Sequence, residues 1–142
     1  MQLARLLSDD GTYNVRLACL NKNGVLLDDD VIERFADIPD FPLNSFYDVN
    51  FLKQAWHFSG WLRANNIEIL QTHDFYSNIF GMDSARIAGV SVRIAAKRET
   101  GMRTRLQNFV ERRAFGRASA VVVNSEGVRR HLSDSGVPHG KL

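Results

Sequence analysis

With 142 residues, 44% of them hydrophobic and 24% charged, the chain has the size and composition of one soluble globular domain, or of part of one. No apolar run approaches the roughly 20 residues that a membrane-spanning helix requires. No basic segment followed by an apolar one opens the chain, so no secretory leader is expected. The single cysteine, Cys19, excludes an internal disulfide and suits a reducing cytosol.

The net charge of +2 is unevenly spread. Residues 1–50 carry nine acids against four bases, whereas residues 97–130 carry nine bases against three acids. Such asymmetry points either to an anionic partner or to the solvated faces of two helices.

In chain order, Met1–Ser8 reads as the end of a helix stopped by Asp9-Asp10-Gly11. Tyr13–Leu20 alternates as a strand, and Asn21-Lys-Asn-Gly24 as a turn. Val25–Ala36 reads as a short acidic helix, and Ile38–Leu43 as an edge strand interrupted by proline. Asp48 is placed to cap a helix running to Asn65, with Phe51, Leu52, Ala55, Phe58 and Leu62 on one face. Trp56 and Trp61 are read as packing residues, and His57 as a surface residue.

Ile67–Gln71 then reads as a buried strand ending in the polar elbow Thr72-His73-Asp74. From Phe75 the apolar residues Ile79, Phe80, Ala85 and Ala88 recur at helical spacing. Val90–Ala95 is a second strand. Met102–Ala118 is a helix with Met102, Leu106, Phe109 and Val110 as its core stripe. Arg113 and Arg117 continue that stripe, so either they cap the last carbonyls near Gly116 or the helix end faces a cleft. Ala120–Val123 is a third strand, Ser125 caps a helix over Glu126–Ser135, and Gly136-Val-Pro ends it. Val137–Leu142 resembles the approach to a further strand.

Strands alternating with helices imply an α/β fold, Rossmann-like, with three α/β/α layers and a mostly parallel sheet. In open sheets of this kind ligands sit beyond the carboxyl ends of the strands. Three polar clusters fall there: Thr72-His73-Asp74, Lys97-Arg98-Glu99-Thr100-Gly101 and Asn124-Ser125-Glu126. The last two also precede helix N-termini, whose free N–H groups favour oxyanions or hydroxyls. The four histidines are scattered and have no thiolate partner, so no metal is expected. No Walker loop, Gly-rich dinucleotide fingerprint or nucleophile elbow is present. No aromatic is placed beside the arginines for base stacking, so no nucleic-acid partner is expected.

Taken in order, Gln2-Leu-Ala-Arg-Leu-Leu, Val15-Arg-Leu-Ala-Cys-Leu, Gln71-Thr-His-Asp-Phe-Tyr-Ser-Asn, Lys97-Arg-Glu-Thr-Gly and Ala120-Val-Val-Val-Asn-Ser-Glu-Gly-Val resemble the N-terminal, acceptor-side domain of family-4-type GT-B glycosyltransferases. That resemblance implies a retaining enzyme with two Rossmann-like domains facing a cleft, a nucleotide-sugar donor, no metal, and a saccharide or lipid-linked acceptor. It places His73 near the transferred sugar as the catalytic position. It places Asp74, Arg98, Glu99, Arg103, Asn124, Ser125 and Glu126 where substrate groups approach. It also implies a first strand with a Gly-Gly loop ahead of Gln2, missing here, and an absent C-terminal donor-binding domain. The expectation is therefore an N-terminal half, inactive alone and cytoplasmic, with the basic helix Met102–Arg117 touching an anionic membrane at its inner face. The alternative from another class is a non-catalytic Rossmann-like module that binds a phosphorylated ligand or a protein partner.

Overall fold

A computed structural model describes residues 2–21, 29–35, 37–43, 45, 48–98, 101 and 104–142. The expected turn at Asn21–Gly24 and the first residues of the acidic helix lie largely outside that set, as do Met102, Glu99 and Arg103. The chain divides into two compact units, Met1–Asn50 and Phe51–Leu142.

In the first unit, helix α1 (Gln2–Asp9) ends where Gly11 adopts a positive φ of 72°, as the Asp-Asp-Gly signal implies. Helix α2 (Asp29–Arg34) follows. Val31, Phe35 and Ile38 form a small buried cluster, with Ala4, Val15, Leu17 and Cys19 packed against it. The strand expected over Tyr13–Leu20 is reduced to a single parallel bridge between Cys19 and Asp40. The Cys19 N–H donates to Pro39 O at 3.1 Å, and Phe41 N–H donates to Cys19 O at 2.9 Å. Pro39 lacks the N–H that the next bond, to Leu17 O, would require, so the ladder cannot lengthen in that direction. The expected edge strand at Ile38–Leu43 is cut short for the same reason.

The second unit carries the sheet. Helix α3 (Val49–Ala64), which begins in the first unit, leads to strand β1 (Ile69–Thr72), helix α4 (Phe75–Ala88) and strand β2 (Val92–Lys97). Helix α5 (Arg105–Arg117), strand β3 (Ala120–Val123), helix α6 (Glu126–Asp134) and a 3₁₀ turn (His139–Lys141) complete it. The three strands are parallel in the order β1-β2-β3, with Thr72 opposite Ala95 and Lys97 opposite Val123. This is the expected Rossmann-like α/β arrangement, a parallel sheet flanked by helices. The 3₁₀ turn stands where a further strand approach was expected.

Strands β1 and β2 begin two residues later than the sequence pattern implies. Ile67 and Val90 close the preceding helices instead. Ile67 N–H donates to Leu62 O at 3.0 Å past Asn66, whose φ is 51°, and Val90 N–H donates to Ala85 O at 2.9 Å past Gly89, whose φ is 81°. Val137 N–H does the same to Leu132 O at 3.0 Å past Gly136. In each case a left-handed residue followed by an apolar one satisfies helix carbonyls that would otherwise lack donors.

The core of this unit is built on α4. Phe80 is almost fully buried and stacks on Phe58 of α3 at 5.4 Å, while Phe51 meets it edge-on at 5.8 Å. Ala55, Phe58 and Leu62 of the expected α3 stripe are buried, but Leu52 is 67% exposed. Ser59 takes an inner place, its Oγ lying 2.6 Å from Ala55 O and 2.8 Å from Ser84 O across the α3–α4 contact. His57 is on the surface, as expected.

The α5 stripe is corrected more strongly. Leu106 and Phe109 are 57% and 62% exposed, and the buried residues are Glu111, Ala114 and Phe115. The final α5 carbonyls are not capped by Arg113 and Arg117. Lys141 Nζ donates to Gly116 O at 2.7 Å and to Ala118 O at 2.8 Å, and Arg93 Nε donates to Arg117 O at 2.8 Å. The Arg117 side chain pairs with Asp83 of α4 instead.

Gly81 permits α4 to sit close on β1. A methyl group there would come within 2.5 Å of Thr72 Cγ2 and 3.4 Å of Leu70 Cδ2. Thr72 cannot turn away freely, because its Oγ1 donates to Asn78 Oδ1 at 2.6 Å. Gly81→Ala is therefore expected to destabilise the protein by about 1–2 kcal/mol, overpacking outweighing alanine's better helix propensity. Thermal melting checks this: a Tm lowered by a few degrees is expected, and an unchanged or raised Tm contradicts the close-approach account.

Candidate functional site

Because the strands are parallel, their carboxyl ends lie on one side of the sheet, and the helices that follow begin there. The β1 end is His73-Asp74, the β2 end is Arg98, and the β3 end is Asn124-Ser125-Glu126. Two contacts join the three ends. His73 Nδ1 lies 3.4 Å from Arg98 Nη2, and Asn124 Nδ2 donates to the Arg98 carbonyl at 3.0 Å. One imidazole, one guanidinium and one amide thus share a rim, with Arg98 as the common member.

All three side chains are solvent-exposed. Partial burial is the main influence that lowers the His73 pKa below its ordinary value of 6.5, and the nearby Arg98 charge adds to it, while Asp74 opposes. A neutral ring fits the contact, since Arg98 can donate only to an unprotonated Nδ1, leaving Nε2–H free to donate outward. The rim therefore offers donors from Arg98, His73 Nε2 and the adjacent helix N-termini, together with amide groups at Asn124. Such a set is suited to hydroxyl and oxyanion groups.

The other expected site residues have different placements. Asp74 is the N-cap of α4: its carboxylate accepts from Ser77 N–H at 2.8 Å, and Ser77 Oγ accepts from Asp74 N–H at 3.1 Å and His73 N–H at 3.2 Å. This reciprocal box fixes the turn that carries His73. Ser125 caps α6, its Oγ accepting from Val128 N–H at 3.3 Å. Glu126 lies on the α6 surface, 3.7 Å from Arg129 and 3.6 Å from Arg130 on its own helix. Glu99 and Arg103 lie outside the described residues. The structure thus brings together His73, Arg98 and Asn124, and engages Asp74 and Ser125 in helix caps beside them.

Two features behind the rim escaped the pattern of the sequence. Asn78 is buried and donates from Nδ2 to Ala96 O at 3.0 Å while accepting from Thr72, so one α4 side chain ties β1 to β2 next to their ends. Lys97, read as one of the polar strand-end residues, turns inward: its Nζ donates to Glu111 Oε2 at 2.6 Å, with the two side chains 4% and 6% exposed. Alternation along β2 could not have found it, because Ala95, Ala96 and Lys97 are all buried and both faces of the strand are covered there.

Open concavities occur away from the rim. One of about 570 Å³ lies at the opposite, amino ends of the strands, lined by residues including Arg63, Asn66, Glu68 and Ser91. The chemistry converges at the rim and not in that concavity, so its volume carries little weight here. Among the described residues, no group of three His, Cys, Asp or Glu side chains is placed to hold a metal ion.

A parallel α/β sheet with polar groups gathered at its carboxyl ends defines a class of ligand-binding domain. Residues 1–142 match the family model for Glycosyltransferase Family 4, and the chain belongs to that family. No curated protein matches the chain.

Proposed function

We propose that this chain is the acceptor-binding half of a retaining glycosyltransferase of the GT-B type, which moves a sugar from a nucleotide-sugar donor to a saccharide or lipid-linked acceptor. The convergence of His73, Arg98 and Asn124 at three neighbouring strand ends supports this reading most directly. Membership of the glycosyltransferase family favours it over a non-catalytic binding module. In this reading His73 faces the sugar undergoing transfer, with Nε2–H hydrogen-bonding a hydroxyl. Arg98 and Asn124 meet hydroxyl or phosphate oxygens, Arg103 is assigned to the same oxygens, and Glu99 to substrate hydroxyls, from which its carboxylate accepts. Asp74, Ser125 and Glu126 contribute at the helix N-termini beside them. The donor is a substrate, and no metal is required.

Transfer requires donor and acceptor to be held together, and that positioning accounts for much of the rate such enzymes achieve. The donor side of the cleft belongs to a second domain. The test is transfer of labelled sugar from a panel of nucleotide sugars by the protein carrying both domains. His73→Ala is expected to lower turnover by roughly 10²-fold, the size typical for loss of one oriented hydrogen-bonding group, and the product is expected to keep the donor's anomeric configuration. The 142-residue chain alone is expected to give no transfer. An unimpaired His73→Ala enzyme, or measurable transfer by the isolated chain, contradicts the proposal.

A peripheral membrane contact belongs to the same reading. No helix among the described residues is long and apolar enough to cross a membrane. The outward face of α5, however, carries Leu106 and Phe109 exposed beside the exposed Arg105, Arg112 and Arg113, and the only carboxylate of that helix, Glu111, is buried. Apolar anchors ringed by arginines suit an anionic lipid surface. At about 1 kcal/mol per arginine, three of them favour anionic over neutral vesicles by a factor on the order of 10². Co-sedimentation with vesicles of phosphatidylcholine alone, or with about a third phosphatidylglycerol, checks this. Binding only to the anionic vesicles, abolished by Phe109→Glu, is expected. Equal binding to both, or binding to neither, removes the membrane from the proposal.

A further inference from the structure

Strand β2 ends in two consecutive basic residues, and the fold treats them oppositely. Lys97 goes into the interior and Arg98 to the rim. Side chains alternate faces along a strand, so a slip or twist by one residue would exchange their places. Lys97 is held inside by Glu111 at 2.6 Å, and its Nζ lies 5.9 Å from the centroid of Phe115. Both partners are nearly inaccessible. A buried ion pair of this kind yields little net stability compared with a well-packed apolar pair, because desolvation offsets most of the attraction. Its distinguishing property is geometry: a short charged hydrogen bond tolerates only a narrow range of positions. An aliphatic contact tolerates a wide one.

The placement of the pair gives that geometry a consequence. Lys97 is followed directly by Arg98, whose carbonyl accepts from Asn124 and whose guanidinium reaches His73. Glu111 sits two turns into α5, the helix that follows the 98–104 connection. The pair therefore ties the end of β2, which Arg98 follows directly, to α5.

We propose that Lys97 and Glu111 are positioning residues: they lock the end of β2 to α5 so that Arg98 stays joined to His73 on one side and Asn124 on the other. Their importance for function rests on the sugar-transfer reading of the rim; their mechanical role does not. Neither residue touches the rim's solvent face, so both act through Arg98.

The experiment uses the labelled 142-residue chain with two readouts that involve no sugar. One is the Asn124 side-chain amide, whose exchange is expected to be slowed by its bond to the Arg98 carbonyl. The other is the His73 titration midpoint, held below its ordinary value by burial and by Arg98 and opposed by Asp74. In Lys97→Met/Glu111→Leu, an apolar replacement that restores packing, melting is expected to stay cooperative. Asn124 amide exchange is expected to rise several-fold, and the His73 midpoint to move upward. Glu111→Gln keeps the shape and an acceptor for Lys97 while removing the charge, so whichever of the two variants melts cooperatively decides the matter. Both readouts should move in the same directions there, by less. If Asn124 and His73 are unchanged in a folded variant, the pair is only core filling and the proposal is overturned. The transfer activity can fail independently, since neither readout depends on it.

Discussion

Asn78 carries the contact on which the arrangement of the second unit depends. Buried in α4, it donates to the Ala96 carbonyl at 3.0 Å and accepts from Thr72 at 2.6 Å, so a single amide spans two adjacent strands. Leaving such a group buried without partners costs about 1–3 kcal/mol, which makes this position of α4 strongly preferred over its neighbours. Gly81, one turn on, then allows the helix to descend onto Thr72. With α4 fixed across β1 and β2, the turn that starts it is fixed too, and that turn presents His73.

The rim is the sum of such constraints. Parallel register aligns three carboxyl ends, and the Asp74–Ser77 box sets the first. The Lys97–Glu111 pair holds the second, and Asn124 reaches back to join the third to it. His73, Arg98 and Asn124 are exposed, while the groups that hold the first two strand ends in place, Thr72, Asn78, Lys97 and Glu111, are buried. Exposed donors and acceptors thus stand on a buried polar scaffold. That combination suits a ligand rich in hydroxyl groups.

Much of this was legible in the sequence. The recurrence of apolar strand, polar elbow and helix revealed three parallel units, and Ser125 and Gly136 marked the limits of α6 closely. The departures share a cause: residue type was read one element at a time. Ile67 and Val90 look like strand residues until the left-handed Asn66 and Gly89 before them recruit both as helix-closing contacts. Glu111 lies outside the apolar stripe expected of α5, yet it is buried against Lys97, and with that face inside Leu106 and Phe109 turn outward. The strand expected at Cys19 is cut to one bridge because Pro39, beside Asp40, lacks the donor that the next bond needs. Pairing across elements decided each case, and spacing along one element carries no record of it.

The central claim is that His73, Arg98 and Asn124 act together as a carbohydrate-binding rim. Its most direct test is a titration of the isotope-labelled chain with nucleotide sugars and simple saccharides, followed by NMR at the side chains of those three residues. Concerted, saturable shifts at all three, with little change in the concavity at the amino ends of the strands, are the predicted result. Shifts confined to other surfaces, or a response from one of the three without the others, would contradict the account.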